Sequence, residues 1–417
     1  MFSVSPCSTT APFEKVVYES FDQLDYHARY WWASSGHALA ILLERAGYTS
    51  HSQYTLLKFI RAITPTLGPA PLPGTPRLWK SFMTDDHTPI EISWDWGTGD
   101  KPPKIRFSIE PVGIGAGTQL DPENQYAAAH LRAIMATTLP DTNMQWLKHF
   151  QEQLNGEDIK GSVEGHATKE FYAFDLNSDA IESKAYFFPG YKARATKQTN
   201  FAVIRDTIQS APGCELGKLQ ALDTFQEYMN DAHTPNLEMD MLAIDLVDPS
   251  ESRFKIYFRI RDTSFASVVD AITLGGRIDN PELDQGVPKL RRLYFSLLNG
   301  SNGEDMSDQD QLPSKEDRTA GILYNMSFRY GSKAPKIKAY LPVRHYAKSE
   351  LATISALGTF MDDSRATARA NVVNYIASMQ TLYSDEVLKS RSGIHTYIGC
   401  SIETAGDLRL VSYINPH

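Results

Sequence analysis

Cysteine is scarce in this chain: three in 417 residues, Cys7, Cys214 and Cys400, far apart and without a CxxC pair. That excludes a disulfide scaffold and a thiolate zinc site, and it fits a reducing compartment. No apolar run approaches the roughly 18–20 residues that span a bilayer. The opening stretch MFSVSPCSTTAPFEK has no basic segment followed by an apolar core, so a cytoplasmic protein without a membrane partner is expected. Positive charge is also in deficit, with 41 Lys and Arg against 50 Asp and Glu and a formal charge of -9. Such a field repels polyanions and argues against nucleic acid. The chain has no Walker A, GxSxG, HExxH or clean DDxxD motif, and GIGAG at 113–117 is a lone glycine-rich turn. Asp85-Asp86, Asp362-Asp363 and the run EDMSDQD at 304–310 stand in turn-like contexts and read as solvated surface. No metal site is therefore expected, since Mg²⁺ needs clustered hard oxygen ligands.

A composition of 42% hydrophobic and 22% charged residues describes an ordinary folded protein with a sizeable core. Residues 1–20 read as a flexible tail, and 21–417 as a single domain. Tyr30, Trp31, Ala38, Leu39, Ile41, Leu42 and Leu43 recur at helical spacing, a second helix follows over Tyr54 to Ala62, and LGPAPLPGTPRLW is extended. From there the period changes to two. IEISWDW (90–96) and KIRFSIE (104–110) alternate apolar and polar residues about a turn-forming linker and predict a hairpin. The unit recurs as FYAFDL with KAYFFP (171–189), MLAIDLV with RFKIYFRI (241–260), ILYNMSFRY with KIKAYLPV (322–343) and HTYIGCSIE with LRLVSYIN (395–415). Helix-forming stretches separate the hairpins, giving five ααββ repeats. Ten antiparallel strands with one polar face are best satisfied by a closed barrel with helices outside, an α+β fold with a polar lumen.

On the second strand of each hairpin one face carries cations and tyrosines: Arg106 with Ser108, Lys184 with Tyr186, Arg253, Lys255 and Arg259 with Tyr257, Lys338 with Tyr340, and Arg409 with Tyr413. Their opposite faces are apolar and belong under helices, so the cations face the lumen. Converging buried cations require an anionic ligand. Interleaved phenol faces stabilise positive charge on that ligand. A molecule that separates into an inorganic anion and an organic cation, such as an allylic diphosphate, uses both. Glu91, alternating with Ser93 and Asp95, is the acid available for a proton or an acceptor N–H. The same lining would also suit a non-catalytic barrel that binds a hydrophobic anion.

YWWASSGHALAILLERAGY, LKFIRAITPTLGPAP, TPIEISWDW, KIRFSIEPV, AFDLNSDAIESKAYFFPGYKA, RFKIYFRI, TLGGR and KIKAYLPVRHYAK together resemble the fungal dimethylallyltryptophan synthase family of aromatic prenyltransferases, from about Tyr30 to Asn415. The resemblance implies the ABBA prenyltransferase barrel and metal-independent Friedel–Crafts alkylation in fungal secondary metabolism. The implied co-substrate is dimethylallyl diphosphate or a longer geranyl homologue, without a cofactor. The implied acceptor is an indole, a cyclic dipeptide or a phenol. Glu91 matches the acid that holds the acceptor and assists deprotonation, with Lys184 as a second proton-transfer candidate. Arg106, Lys184, Arg253, Lys255 and Lys338 match the diphosphate ligands, although some members have glutamine at the place of Lys338. Tyr186, Tyr257, Tyr340, Tyr397 and Tyr413 resemble the shield around the allyl cation. Trp94 and Trp96, bulkier than in other members, are expected beside the acceptor. Family precedent implies a monomer or homodimer.

Overall fold

Alternation along the hairpins closes into a ring. In the computed structural model, which describes residues 9–20, 24–72, 74–99, 101–154, 165–298, 306–361, 366–390 and 393–417, ten antiparallel strands form one closed barrel. The strands are β1 (Ile90–Asp95), β2 (Lys104–Ile109), β3 (Glu170–Leu176), β4 (Ile181–Phe187), β5 (Glu238–Asp245), β6 (Arg253–Ile260), β7 (Ile322–Arg329), β8 (Lys336–Leu341), β9 (His395–Ile402) and β10 (Leu408–Ile414). Each pairs with its sequence neighbours, and β1 pairs with β10 in the register Ile92↔Ile414 and Ser93↔Tyr413. Closure leaves no strand edge in the ring. β4 begins three residues earlier than its alternation suggested, because the Asn177 N–H donates to the Ala180 carbonyl across a tight turn (2.9 Å) and Ile181, Glu182 and Ser183 already pair with β3.

Helix pairs occupy the stretches between hairpins, namely 127–138 with 145–154, 200–209 with 220–229, 265–273 with 281–298, and 350–361 with 366–382. Their apolar stripes lie on the outside of the sheet. Trp146, Leu147, Phe150 and Leu154 are buried at helical spacing, and the Trp146 ring stacks on Phe254 of β6 at 4.6 Å. The outward residues Ile92, Ile105, Phe107, Phe174, Ile256, Phe258 and Leu341 join this shell core. A smaller apolar cluster inside the barrel contains Met241, Tyr257, Leu323, Tyr340 and Tyr397.

The expected flexible tail is corrected in part. Residues 11–20 form a helix whose Phe13 stacks on Trp32 (4.6 Å, 7°), with Val16 buried beside it. Phe13, Val16 and Val17 make a stripe at i, i+3 and i+4 that their charged neighbours Glu14 and Lys15 disguise. The earlier part of that tail, Cys7, the Asp362-Asp363 pair and part of the 304–310 run lie outside the described residues. Among the described residues no helix is long and apolar enough to cross a membrane.

Candidate active site

Reading inward from the start of β4, β6, β8 and β10, a cation precedes a tyrosine, with Arg106 and Ser108 at the matching places of β2, so the lumen is cationic toward one end and aromatic deeper in. A cavity of about 580 Å³ is lined by Arg106, Lys184, Arg253, Lys255, Lys338 and Arg409. Three aspartates on β1, β3 and β5 stand among them. Asp95 binds Arg106 and Arg409, Asp175 lies 2.6 Å from Lys184 and 3.4 Å from Arg106, and Asp245 binds Lys255 and lies 2.7 Å from Arg253. Burial alone would raise these carboxyls, yet the adjoining cations hold all three below the usual carboxylate range. With Lys104 and Lys336, and with Glu182, Glu282 and Glu403, also on its wall, eight cations stand against six carboxylates and leave the basin an excess of positive charge for an anion.

Lys338 differs from its companions. Its Nζ donates to the Tyr413 hydroxyl at 3.0 Å and stands 4.7 Å above the Tyr340 ring, and no carboxylate forms an ion pair with it among the described residues. Gly399 makes room for it: a Cβ there would lie 2.5 Å from the Lys338 side chain. Burial, reinforced by Arg106, pushes Lys338 down to about 7. Burial likewise brings Lys255 down to about 7 against the pull of Asp245.

Tyr186, Tyr257, Tyr340 and Tyr413 line this basin and also a smaller compartment of about 90 Å³ beyond it. Neighbouring rings lie 5.8 Å (Tyr186–Tyr257), 6.0 Å (Tyr257–Tyr340) and 5.6 Å (Tyr340–Tyr413) apart, forming an aromatic collar between the two spaces. Phe171 stacks on Tyr186 at 4.1 Å and extends the collar. The smaller compartment holds Glu91, Asp240, Arg259, Arg318, Arg344 and Tyr397, with Met241 and Leu323 as apolar walls. Glu91 accepts a 2.6 Å hydrogen bond from Thr396 on β9. Burial raises its carboxyl to about 7, with Thr396 and Arg344 opposing. Tyr397 accepts from Arg344 at 2.6 Å and from Arg259 at 3.4 Å. Burial would raise its phenol, but these two guanidiniums bring it below its ordinary value.

The structure thus brings Glu91, the five expected diphosphate ligands and all five expected tyrosines around one lumen. Tyr397 sits in the smaller compartment, held by arginines, rather than in the collar. Trp94 and Trp96 are corrected: neither lines the lumen. Both pack in the outer shell against Tyr375, at 5.3 and 4.5 Å, and the Trp96 indole donates to Ser412 at 3.0 Å. They share the parity of Ile90 and Ile92, which face the helices, and not that of Glu91.

Sequence reasoning missed Asp175 and Asp245, Arg344, Asp240 and Thr396. The first two carried a signal, since SWDW, AFDL and AIDL repeat an aspartate at the matching place of three successive hairpins. Among the described residues no group of three His, Cys, Asp or Glu side chains is arranged to hold a metal ion. Asp85 is paired with Arg344 at 2.8 Å, and Asp86 accepts from Thr84 and Thr88.

Comparison with known proteins gives the family and the fold. The sequence profile of the family described as Tryptophan dimethylallyltransferase matches residues 27–374. The chain is 33% identical over 401 residues to 4-O-dimethylallyl-L-tyrosine synthase of Claviceps purpurea, covering 94% of this chain and 88% of that one. It is 31% identical over 406 residues to 7-dimethylallyltryptophan synthase of Aspergillus fumigatus, covering 93% and 84%. Among solved structures, AnaPT from Neosartorya fischeri superimposes with a TM-score of 0.81 at 22% identity over 98% of both chains. NotF in complex with brevianamide F and DMSPP does so with 0.79 at 23% identity, over 96% of this chain and 98% of that one. These two likenesses concern the fold.

Proposed function

Because the chain belongs to the tryptophan dimethylallyltransferase family, we propose that it carries the dimethylallyl group of dimethylallyl diphosphate to an aromatic acceptor in the lumen, without a metal ion. It is a transferase of the aromatic prenyltransferase class. The observation that carries the reading is the division of one lumen by the tyrosine collar, with a cationic basin on one side and the Glu91 compartment on the other.

In this reading Arg106, Lys184, Arg253, Lys255 and Lys338 receive the diphosphate, with Arg409 joining them. As the carbon–oxygen bond breaks, the leaving pyrophosphate gains negative charge in a site whose positive charge is already in place. The collar holds the dimethylallyl cation against phenol faces and keeps water from it. The acceptor ring, seated by Glu91, attacks the cation carbon from the other side, and proximity replaces a bimolecular encounter. The ring or phenol proton then leaves, with Glu91 as its acceptor in the carboxylate form. Relatives named for tyrosine and for tryptophan support a small phenol- or indole-bearing acceptor. A barrel that merely binds a hydrophobic anion would need the basin but not a buried acid across the collar.

Incubation with dimethylallyl diphosphate and EDTA, against a panel of phenols, indoles, aromatic amino acids and cyclic dipeptides, tests this by product mass. One added prenyl unit is expected with the chelator present. Product formation that EDTA abolishes and Mg²⁺ restores would overturn the metal-independent reading.

A further inference from the structure

Along its pairing with β6, β5 uses one residue more, seven over 238–244 against six over 254–259. Its pairing with β6 runs Ala243↔Lys255, Leu242↔Ile256, Met241↔Tyr257 and then passes to Met239↔Phe258, so Asp240 has no opposite number. In a regular strand successive residues face opposite sides. Here Met239 lies in the outer shell and Met241 in the lumen cluster, while Asp240 lines the same inner compartment as Met241. The bulge therefore turns two consecutive side chains inward, a known use of bulges beside sites.

What it turns inward is a carboxylate whose Oδ2 is buried and receives no hydrogen bond. A buried acceptor of that kind is costly unless a ligand completes it. Of the three guanidiniums in the compartment, Arg259 donates to the Thr319 carbonyl at 2.8 Å, Arg344 to Asp85 at 2.8 Å and to Tyr397 at 2.6 Å, and Arg318 stands 4.6 Å from the centre of the Phe82 ring. Glu91, the other acid of the compartment, already has Thr396.

Resting on the aromatic prenyl-transfer reading, we propose that Asp240 is a specificity-determining residue that receives an ammonium group of the acceptor. A charge-assisted hydrogen bond in this enclosed compartment then selects acceptors with a free amine over the same ring without one. Neutral cyclic dipeptides and amine-free phenols are poor acceptors.

The test compares L-tyrosine and L-tryptophan with 3-(4-hydroxyphenyl)propanoate and indole-3-propanoate, which keep the ring and the carboxylate and lack only the amine. Wild-type enzyme should favour at least one amino acid over its amine-free analogue by about 10- to 100-fold in kcat/KM, mainly through KM. Asp240→Asn should collapse that ratio toward unity, and Asp240→Glu should restore part of it. The wild-type comparison needs no variant to fold. A wild-type ratio near one, or an undiminished ratio in Asp240→Asn, overturns the proposal. Prenylation of neutral phenols or cyclic dipeptides in preference to the amino acids also overturns it while leaving the prenyl-transfer reading intact. No product from any aromatic acceptor would instead remove that reading, and this inference with it.

Discussion

Glu91, Lys255 and Lys338 are all brought to about 7, the acid from below and the lysines from above, by the same burial. Glu91 accepts a proton only when ionised, and the lysines hold a diphosphate best when charged. The pH profile of kcat/KM for the donor is therefore expected to be a bell centred near neutrality. Glu91→Gln should cut turnover by about 10²–10⁴-fold and remove the acid limb. Its effect on stability runs the other way. A carboxyl raised in the folded state binds more protons there than in the unfolded chain, so its contribution to stability falls as pH rises from its ordinary 4.5 to about 7. Above that window Glu91→Gln should melt at a higher temperature than the wild type while turning over more slowly. Paired melting curves and rate profiles check both, and wild-type turnover in the variant would remove Glu91 from the chemistry.

At the scale of the element, the hairpin is the functional unit: in the first three, an aspartate on the first strand faces cations on the second. Asp175 contributes stability that is present above its unfolded pKa near 4 and lost as pH falls through its depressed folded value. Asp175→Asn leaves Arg106 without one partner and Lys184 without its 2.6 Å counter-ion. A loss of about 3–5 kcal/mol is expected by denaturant unfolding. An unchanged midpoint would mean that the aspartates do not hold the empty basin together.

The hairpins were legible because a half-buried strand must alternate, and observed strand ends differ from the reading by only a few residues. Trp94 was misplaced because closeness to Glu91 in sequence was weighed above parity, although Ile92 already marked the outward face. Asp240 was illegible for a different reason. Nothing in EMDML announces a bulge, and only the pairing with β6 reveals it. Thr396 needed closure of the ring to reach Glu91, and Arg344 needed the pairing of β8 with β9 to reach Tyr397.

For the whole molecule, a chain of net charge -9 encloses a cavity lined by cations from β2, β4, β6, β8 and β10. An anion held there bridges strands all around the ring and favours the folded state by mass action. Inorganic pyrophosphate at 100 times its Kd should add about 2.7 kcal/mol to stability, read as a rise in Tm. High salt should reduce the effect. No rise at saturating pyrophosphate would contradict the assignment of the basin.

The pairing of β1 with β10 also has a meaning for the birth of the protein. Glu91 and the threonine that holds it are 305 residues apart. A growing chain exposes β1 long before β10 has been made, so an unfinished polypeptide carries an open sheet edge and an acid without its threonine. Contacts this distant form late and slowly. β10, made after the other nine strands of the barrel, is the one that shuts the ring, and a chain arrested before it has no closed chamber to protect.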